Sequence, residues 1–247
     1  MMSKKKVEEP LPNRTRLLNA AALEFATRGL QGARLEVIAS ESDITRAMIY
    51  YYFGGREGLY LAALEECYRH IRASEAAVDL TGLDPIAALR KLTDFRIDYY
   101  VENPLFVALV AIENQQRAAY LRTSEQISRR SVSSLESLDH VLKAGQQAGL
   151  FRDDIDLIEV HQVMVSIGMF NVSNQHTFGA VFSRDMSAPA RLTRTRQLAF
   201  DVVMGLLRRL PEAATTEDKK GSKRASPARA TSSKAASARG RSTANRA

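Results

Sequence analysis

The stretch from Arg34 to Phe53 leaves the chain few ways to fold. Leu35, Ile38 and Ala39 recur at helical spacing, and so do Met48, Ile49, Tyr52 and Phe53, so each half reads as a short helix. Between them Ser42-Asp43 is a polar break, and Asp tolerates left-handed backbone angles better than most non-glycine residues. Ile44 offers an apolar plug between the two helices. Thr45 caps the second, because its hydroxyl can accept a hydrogen bond from an orphan N–H of the first turn. This is the layout of a helix-turn-helix, whose second helix enters the DNA major groove with its N-terminal residues facing base edges.

On that second helix Arg46 stands at the N-terminal end, where a guanidinium can donate two bonds to guanine O6 and N7. Ala47 is small enough to let the backbone close on the groove or to touch a thymine methyl. Tyr50 and Tyr51 follow about one turn on, with hydroxyls that reach phosphates or bases. Three consecutive tyrosines cannot all face one core, so at least one is exposed, while Tyr52 and Phe53 are assigned to the core. Arg56, after the Gly54-Gly55 break, is placed to hold a phosphate.

The string Thr45-Arg46-Ala47-Met48-Ile49-Tyr50-Tyr51-Tyr52-Phe53-Gly54-Gly55-Arg56-Glu57-Gly58-Leu59 resembles the third helix and fourth-helix start of TetR-type transcriptional regulators. Leu17, Leu18, Ala21, Ala22, Leu23, Phe25 and Gly29 resemble that family's first helix, so the resemblance spans residues 13 to 71. It implies an all-helical homodimer that binds a palindromic operator in double-stranded DNA. It also implies a repressor, released when a small-molecule effector enters the C-terminal domain. The chain departs from the family pattern at three places. Ser42-Asp43 stands where Ala-Gly is usual, which strains the turn slightly. Ala33 and Arg34 stand where a Thr or Ser usually caps the next helix, and the Arg34 charge replaces the lost hydroxyl contact. Arg56 replaces the usual Lys, keeping the charge and adding fork geometry. The candidate DNA-contacting set is Arg34, Thr45, Arg46, Ala47, Tyr50, Tyr51 and Arg56.

The expected fold class is all-α: an N-terminal three-helix helix-turn-helix domain, then a larger helical ligand-binding and dimerisation domain. Residues 1–12, closed by Pro10 and Pro12, read as a disordered basic arm, either DNA-contacting or solubilising. Asn13 caps the first helix, which runs to Arg28 before Gly29. The DNA-binding domain covers 13–71, with the helix-turn-helix at 34–53, and a long helix from Arg56 to about Val78 links it to the body at 72–210. Asp84-Pro85 and Asn103-Pro104 each place a cap before proline at the first helical position, giving helices over 85–102 and 104–121. Ser124 opens a helix to Ala148, Asp154 or Asp156 caps one to Asn174, residues 175–188 read as a loop, and Pro189 starts a last helix to Arg209. Its Leu198, Val202, Val203, Leu206 and Leu207, with Val160, Val163, Met164, Ile167 and Phe170 before them, form apolar stripes. The resemblance assigns these stripes to a four-helix bundle across the dimer axis.

Net charge is +7, but from Glu212 onward the chain carries nine Lys or Arg against three acids, so the body is near neutral. DNA affinity in the folded part must therefore come from local placement of Arg14, Arg34, Arg46 and Arg56. Residues 211–247, poor in large apolar side chains, cannot offset ordering entropy and read as a disordered basic tail, either DNA-binding or solubilising. A single cysteine, Cys67, excludes an internal disulfide framework and fits a reducing cytoplasm. No signal peptide or membrane span is expected. Polar residues inside apolar helical runs mark the candidate effector contacts: Glu113, Asn114, Arg117, His161, Phe170, Asn174 and His176. Glu113 and Arg117 are spaced for a local ion pair. The histidines show no metal-ligand spacing, and no nucleophile elbow or phosphate-cradling loop occurs, so neither a metal, a cofactor nor an enzyme is expected. The alternative function is a nucleoid-type architectural DNA binder acting through its tail.

Overall fold

The computed structural model describes residues 13–127 and 135–208. The expected arm at 1–12 and tail at 211–247 lie outside the described residues. Three helices form the head: α1 (Arg14–Gly32), α2 (Leu35–Ser42) and α3 (Arg46–Phe53). Their apolar faces close on one core, with Leu17, Leu18, Ala21 and Phe25 from α1, Ile38 from α2 and Ile49 from α3. Leu59 and Tyr60 of α4 (Arg56–Ala76) complete it, the Tyr60 ring meeting Phe25 edge-on at 5.1 Å. Gly29 breaks α1 rather than ending it: its φ of 70° and ψ of 170° suit glycine alone, and the helix resumes for one more turn. Asn13 makes no side-chain cap, contrary to the sequence reading. It sits at φ 55°, and it is its carbonyl that accepts from Leu17 N–H at 2.9 Å.

The turn folds as the residue types dictate. Asp43 takes φ 55° and ψ 41°, while the Ser42 hydroxyl, buried, donates back to the Ile38 carbonyl at 2.6 Å. A non-glycine residue is disfavoured there, so Asp43→Gly is expected to raise stability by about 0.5 kcal/mol, a shift of about 1–2 °C. Calorimetry of both proteins checks this; a lower melting temperature for the variant contradicts it.

The body contains α5 (Pro85–Glu102), α6 (Pro104–Gln115), a 3-10 turn at Leu121–Thr123, α7 (Glu136–Gln147), α8 (Leu157–Ser173), α9 (Gln175–Phe182) and α10 (Pro189–Leu207). No strand occurs among the described residues. Asp84 caps α5, its carboxylate accepting from Ile86 and Ala87 N–H at 2.9 and 3.0 Å, and Pro85 needs no such partner. Asn103 does not cap α6; its amide donates back to the Tyr99 carbonyl at 2.9 Å. Nor does α6 reach residue 121, because Arg117 and Ala118 take φ of 56° and 57° and turn the chain. The Ser124 hydroxyl accepts from Ile127 N–H at 3.2 Å, but the middle of the helix expected there lies outside the described residues. Asp156 is the cap of α8, and Asp154 pairs with Arg152 at 2.6 Å instead.

Residues 175–182, expected in a loop, are helical. Asn, Gln, His and Gly obscure the signal, but Phe178 packs against Phe170 at 5.7 Å and Phe182 at 4.5 Å, and that packing holds the helix. The second core joins α5, α7, α8 and α10 through Leu89, Leu142, Phe151, Val160, Val203 and Leu207. At Gly168 α8 lies so close to α5 that an added Cβ would stand 2.7 Å from Tyr100. The head is not a free appendage: α1 packs on α4 and on α6, and Leu109 and Ile127 of the body enter the head core.

Candidate DNA interface and effector site

Burial sorts the residues of α3 into two sets. Ile44 and Ile49 are buried under α3, whereas Thr45, Arg46, Ala47, Tyr50 and Tyr51 are all exposed. The expected cap forms, Thr45 Oγ1 accepting from Met48 N–H at 3.3 Å, so the hydroxyl also fixes where the helix begins. Tyr52 is half-buried, and Phe53 packs against the head core as expected. At the exposed end the Arg46 guanidinium pairs with Glu36 of α2 at 2.6 Å, donates to the Tyr50 hydroxyl at 3.4 Å and lies 5.5 Å from the centre of that ring. Both ends of the Arg46–Glu36 pair are exposed, so it is worth at most about 1 kcal/mol and exchanges readily for another acceptor.

Arg34 is also exposed. Its backbone N–H donates to Glu24 of α1 at 3.1 Å, and its guanidinium lies 3.9 Å from the same carboxylate. A carboxylate ten positions upstream thus serves the start of α2, which local cap rules do not reveal. Arg56 donates from Nη1 to the Gln31 carbonyl at 3.1 Å and its Nε is buried, so part of its fork is held against α1. The Gly54-Gly55 turn, with φ of 74° and 129°, brings Arg56 back against the end of α1.

The seven candidate effector residues fall in three places. Glu113 is buried at the end of α6, where it accepts from Leu121 N–H at 2.9 Å. Burial, and then Glu113 beside it, holds the Tyr60 phenol far above its usual range. Asn114 and Arg117 are exposed, and since Arg117 lies past the helix end the expected i,i+4 geometry is absent. Phe170, Asn174 and His176 share the α8–α9 corner, and Phe170 lines a cavity of about 460 Å³ with Phe178, Met186 and Leu198. His161 stands apart, half-buried near Arg72 and Arg96. A cavity of about 550 Å³ opens between α1, α4, α5 and α6, lined by Asn19, Cys67, His70, Tyr99, Asn103 and Phe106 among others, and holds none of the seven. Among the described residues no group of His, Cys, Asp and Glu is placed to hold a metal ion, and no helix is long and apolar enough to cross a membrane.

Residues 17–63 match the family described as bacterial regulatory proteins, tetR family, and residues 85–203 match the tetracyclin repressor-like C-terminal domain. The transcriptional repressor NicS of Pseudomonas putida is 36% identical over 70% of this chain and 82% of its own length. The chain belongs to the TetR family of transcriptional regulators. The repressor KstR2 of Rhodococcus jostii is 31% identical, over 58% of this chain and 70% of its own. A TetR-family regulator from Rhodococcus RHA1 shares the fold at a TM-score of 0.63 and 17% identity, covering 82% of this chain and all of that one (100%).

Within this TetR-type body the sequence missed three charged residues, Arg72, Glu75 and Arg96, which share the interior with His161. Burial first, then the two arginines, lowers the His161 pKa from 6.5 to about 4. In the unfolded chain the imidazole binds a proton more readily, so the stability it supports is present above pH 6.5 and is lost as pH falls toward 4. Denaturation midpoints of wild type and His161→Gln between pH 7 and 4.5 check this: the variant should lose less stability over that range. Parallel pH profiles contradict the assignment.

Proposed function

We propose that this regulator is a homodimeric repressor that binds a palindromic operator through α3 and releases it when a small-molecule effector occupies the 72–210 body. The observation that carries the DNA-reading part is the single exposed face of Thr45, Arg46, Ala47, Tyr50 and Tyr51 on a capped helix whose other face is buried. Arg46 loses little on leaving Glu36 for a guanine edge, and Tyr50, already against it, steadies the guanidinium. Arg34 and Arg56 flank this surface and contribute positive charge near the backbone.

An apolar face supports the dimer. Phe170, Val181, Phe182, Leu198 and Val202 of α8, α9 and α10 are all exposed large apolar side chains. Monomeric proteins seldom leave such a cluster to water. A two-fold pairing there would place two α3 helices on half-sites about one DNA turn apart. That the relatives named above are repressors supports the sign of regulation, and release follows if the effector binds the off-operator arrangement more tightly. No catalytic role is proposed, and the setting is cytoplasmic.

Arg46→Ala tests the recognition helix. On a selected operator the variant should bind about 10- to 100-fold more weakly, equivalent to about 1–3 kcal/mol, and lose preference at the contacted base pair. Operator affinity and base preference equal to wild type in a mobility-shift titration would remove α3 from the reading.

A further inference from the structure

Charged and polar side chains from three helices meet inside the body: Arg72 and Glu75 of α4, Arg96 and Tyr100 of α5, and His161 of α8. Glu75 and Arg96 are buried, exposed only 7% and 3%, and are ion-paired to each other. The other Glu75 oxygen accepts from Arg72 Nη1 at 3.1 Å. One carboxylate therefore serves two guanidinium groups, and Arg96 Nε is buried with no hydrogen-bond partner. His161, neutral at pH 7, does not change the balance, and Tyr100 adds only a neutral hydroxyl. The buried Arg96 thus shares its one carboxylate with the half-buried Arg72 and keeps an unpartnered Nε, and a guanidinium fork fits a carboxylate. The Phe95 ring lies 6.0 Å from the Arg96 guanidinium, and Tyr99 and Tyr100 pack nearby, so an aromatic or aliphatic body would find apolar company beside the charge.

We propose that this cluster is the anion-recognition element of the effector site, and that the effector is a small organic carboxylate that displaces Glu75 from Arg96 and Arg72. Glu75 is on α4 and Arg96 on α5, so the exchange removes the ion pair tying the C-terminal part of α4 to the body. The same helix carries the head at its other end. The cavity beside Arg72, bounded by Glu65, Tyr68 and Arg69 of α4 and by Gln126 and Ile127, is only about 10 Å³, room for one water, so an organic acid cannot enter unless α4 and the facing wall part, carrying the Glu65 carboxylate away from it. Binding and helix movement are thereby one event. This assignment rests on the effector-release reading above.

Thermal unfolding of the full-length protein without DNA, at fixed ionic strength, tests the class. Benzoate, phenylacetate and hexanoate would be compared with their amides, with inorganic phosphate as a further arm. A saturable rise in melting temperature with at least one carboxylate, absent with its amide and absent in Arg96→Gln, is expected. Since Arg96→Gln leaves Glu75 buried and can unfold, Glu75→Gln supplies the second readout. With its internal competitor gone it should bind the same carboxylate at least tenfold more tightly than wild type, whereas a purely structural Glu75 would leave that affinity unchanged. Equal effects of acids and amides, stabilisation by phosphate alone, no response to any acid, or unchanged affinity in Glu75→Gln overturns the proposal. Carboxylate binding that leaves operator retention intact would instead count against effector release and leave the anion site standing.

Discussion

Replacing Gly58 by alanine should disable the head. An alanine Cβ at this position would collide with the carbonyl oxygen of Phe53, and that atom is backbone, held by the end of α3. On an open helical surface the same change would stabilise by about 1 kcal/mol through helix propensity, so the sign separates the two cases. Here α3 and the start of α4 must move apart, and Leu59 and Tyr60, both fully buried in the head core, move with α4. Overpacking of this kind costs about 1–3 kcal/mol and more where backbone cannot yield, so a net loss of about 3 kcal/mol is expected. Chemical denaturation should show it, and operator binding should fall further than stability alone accounts for, because the α3–α4 angle aims the proposed recognition face. A Gly58→Ala protein as stable as wild type would contradict the packing described.

Leu198→Glu should split the proposed dimer while sparing the protomer. The side chain is 56% exposed on α10, so the isolated subunit loses little when it becomes charged. In a two-fold interface two such carboxylates would meet beside Phe170 and Val202, and pairing with Arg191 or Arg194 of the same helix would offset only part of the cost of burying them. Dissociation is expected to rise at least 100-fold, about 3 kcal/mol, read by sedimentation at micromolar concentration. Operator affinity should collapse with it, since one helix-turn-helix contacts only one half-site. Melting of the monomer within about 0.5 kcal/mol of the wild-type protomer would locate the effect in assembly. A variant that sediments like wild type would move the interface elsewhere.

The head was legible because its determinants are local. Helical spacing in Leu35–Ala39 and Met48–Phe53, a residue suited to φ 55° at Asp43 and a hydroxyl at Thr45 each act within a few positions of one another. What the sequence hid depends on distant partners. Glu24 orders the start of α2 from ten residues away, and Arg56, which reads as a free cation, turns back to the Gln31 carbonyl. Helix α9 escaped notice because its residues favour a loop until Phe178 finds Phe170. The charged cluster was equally hidden: Arg72 and Glu75 look like surface charges on a long helix, and only the approach of α5 and α8 makes them interior. Effector residues chosen by polarity within apolar runs were therefore scattered, and of the seven only His161 reaches that cluster.

Whether the folded chain reads DNA sequence is the most direct test of the proposed repressor. Random duplex DNA would be selected at near-physiological salt with the full-length protein, with a chain ending at Pro211, and with Arg46→Ala in the full chain. One palindrome should be enriched by the first two and lost or relaxed in the third. No enrichment, with DNA retained only by chains that keep the basic tail, would contradict the account and make the tail the DNA-binding element.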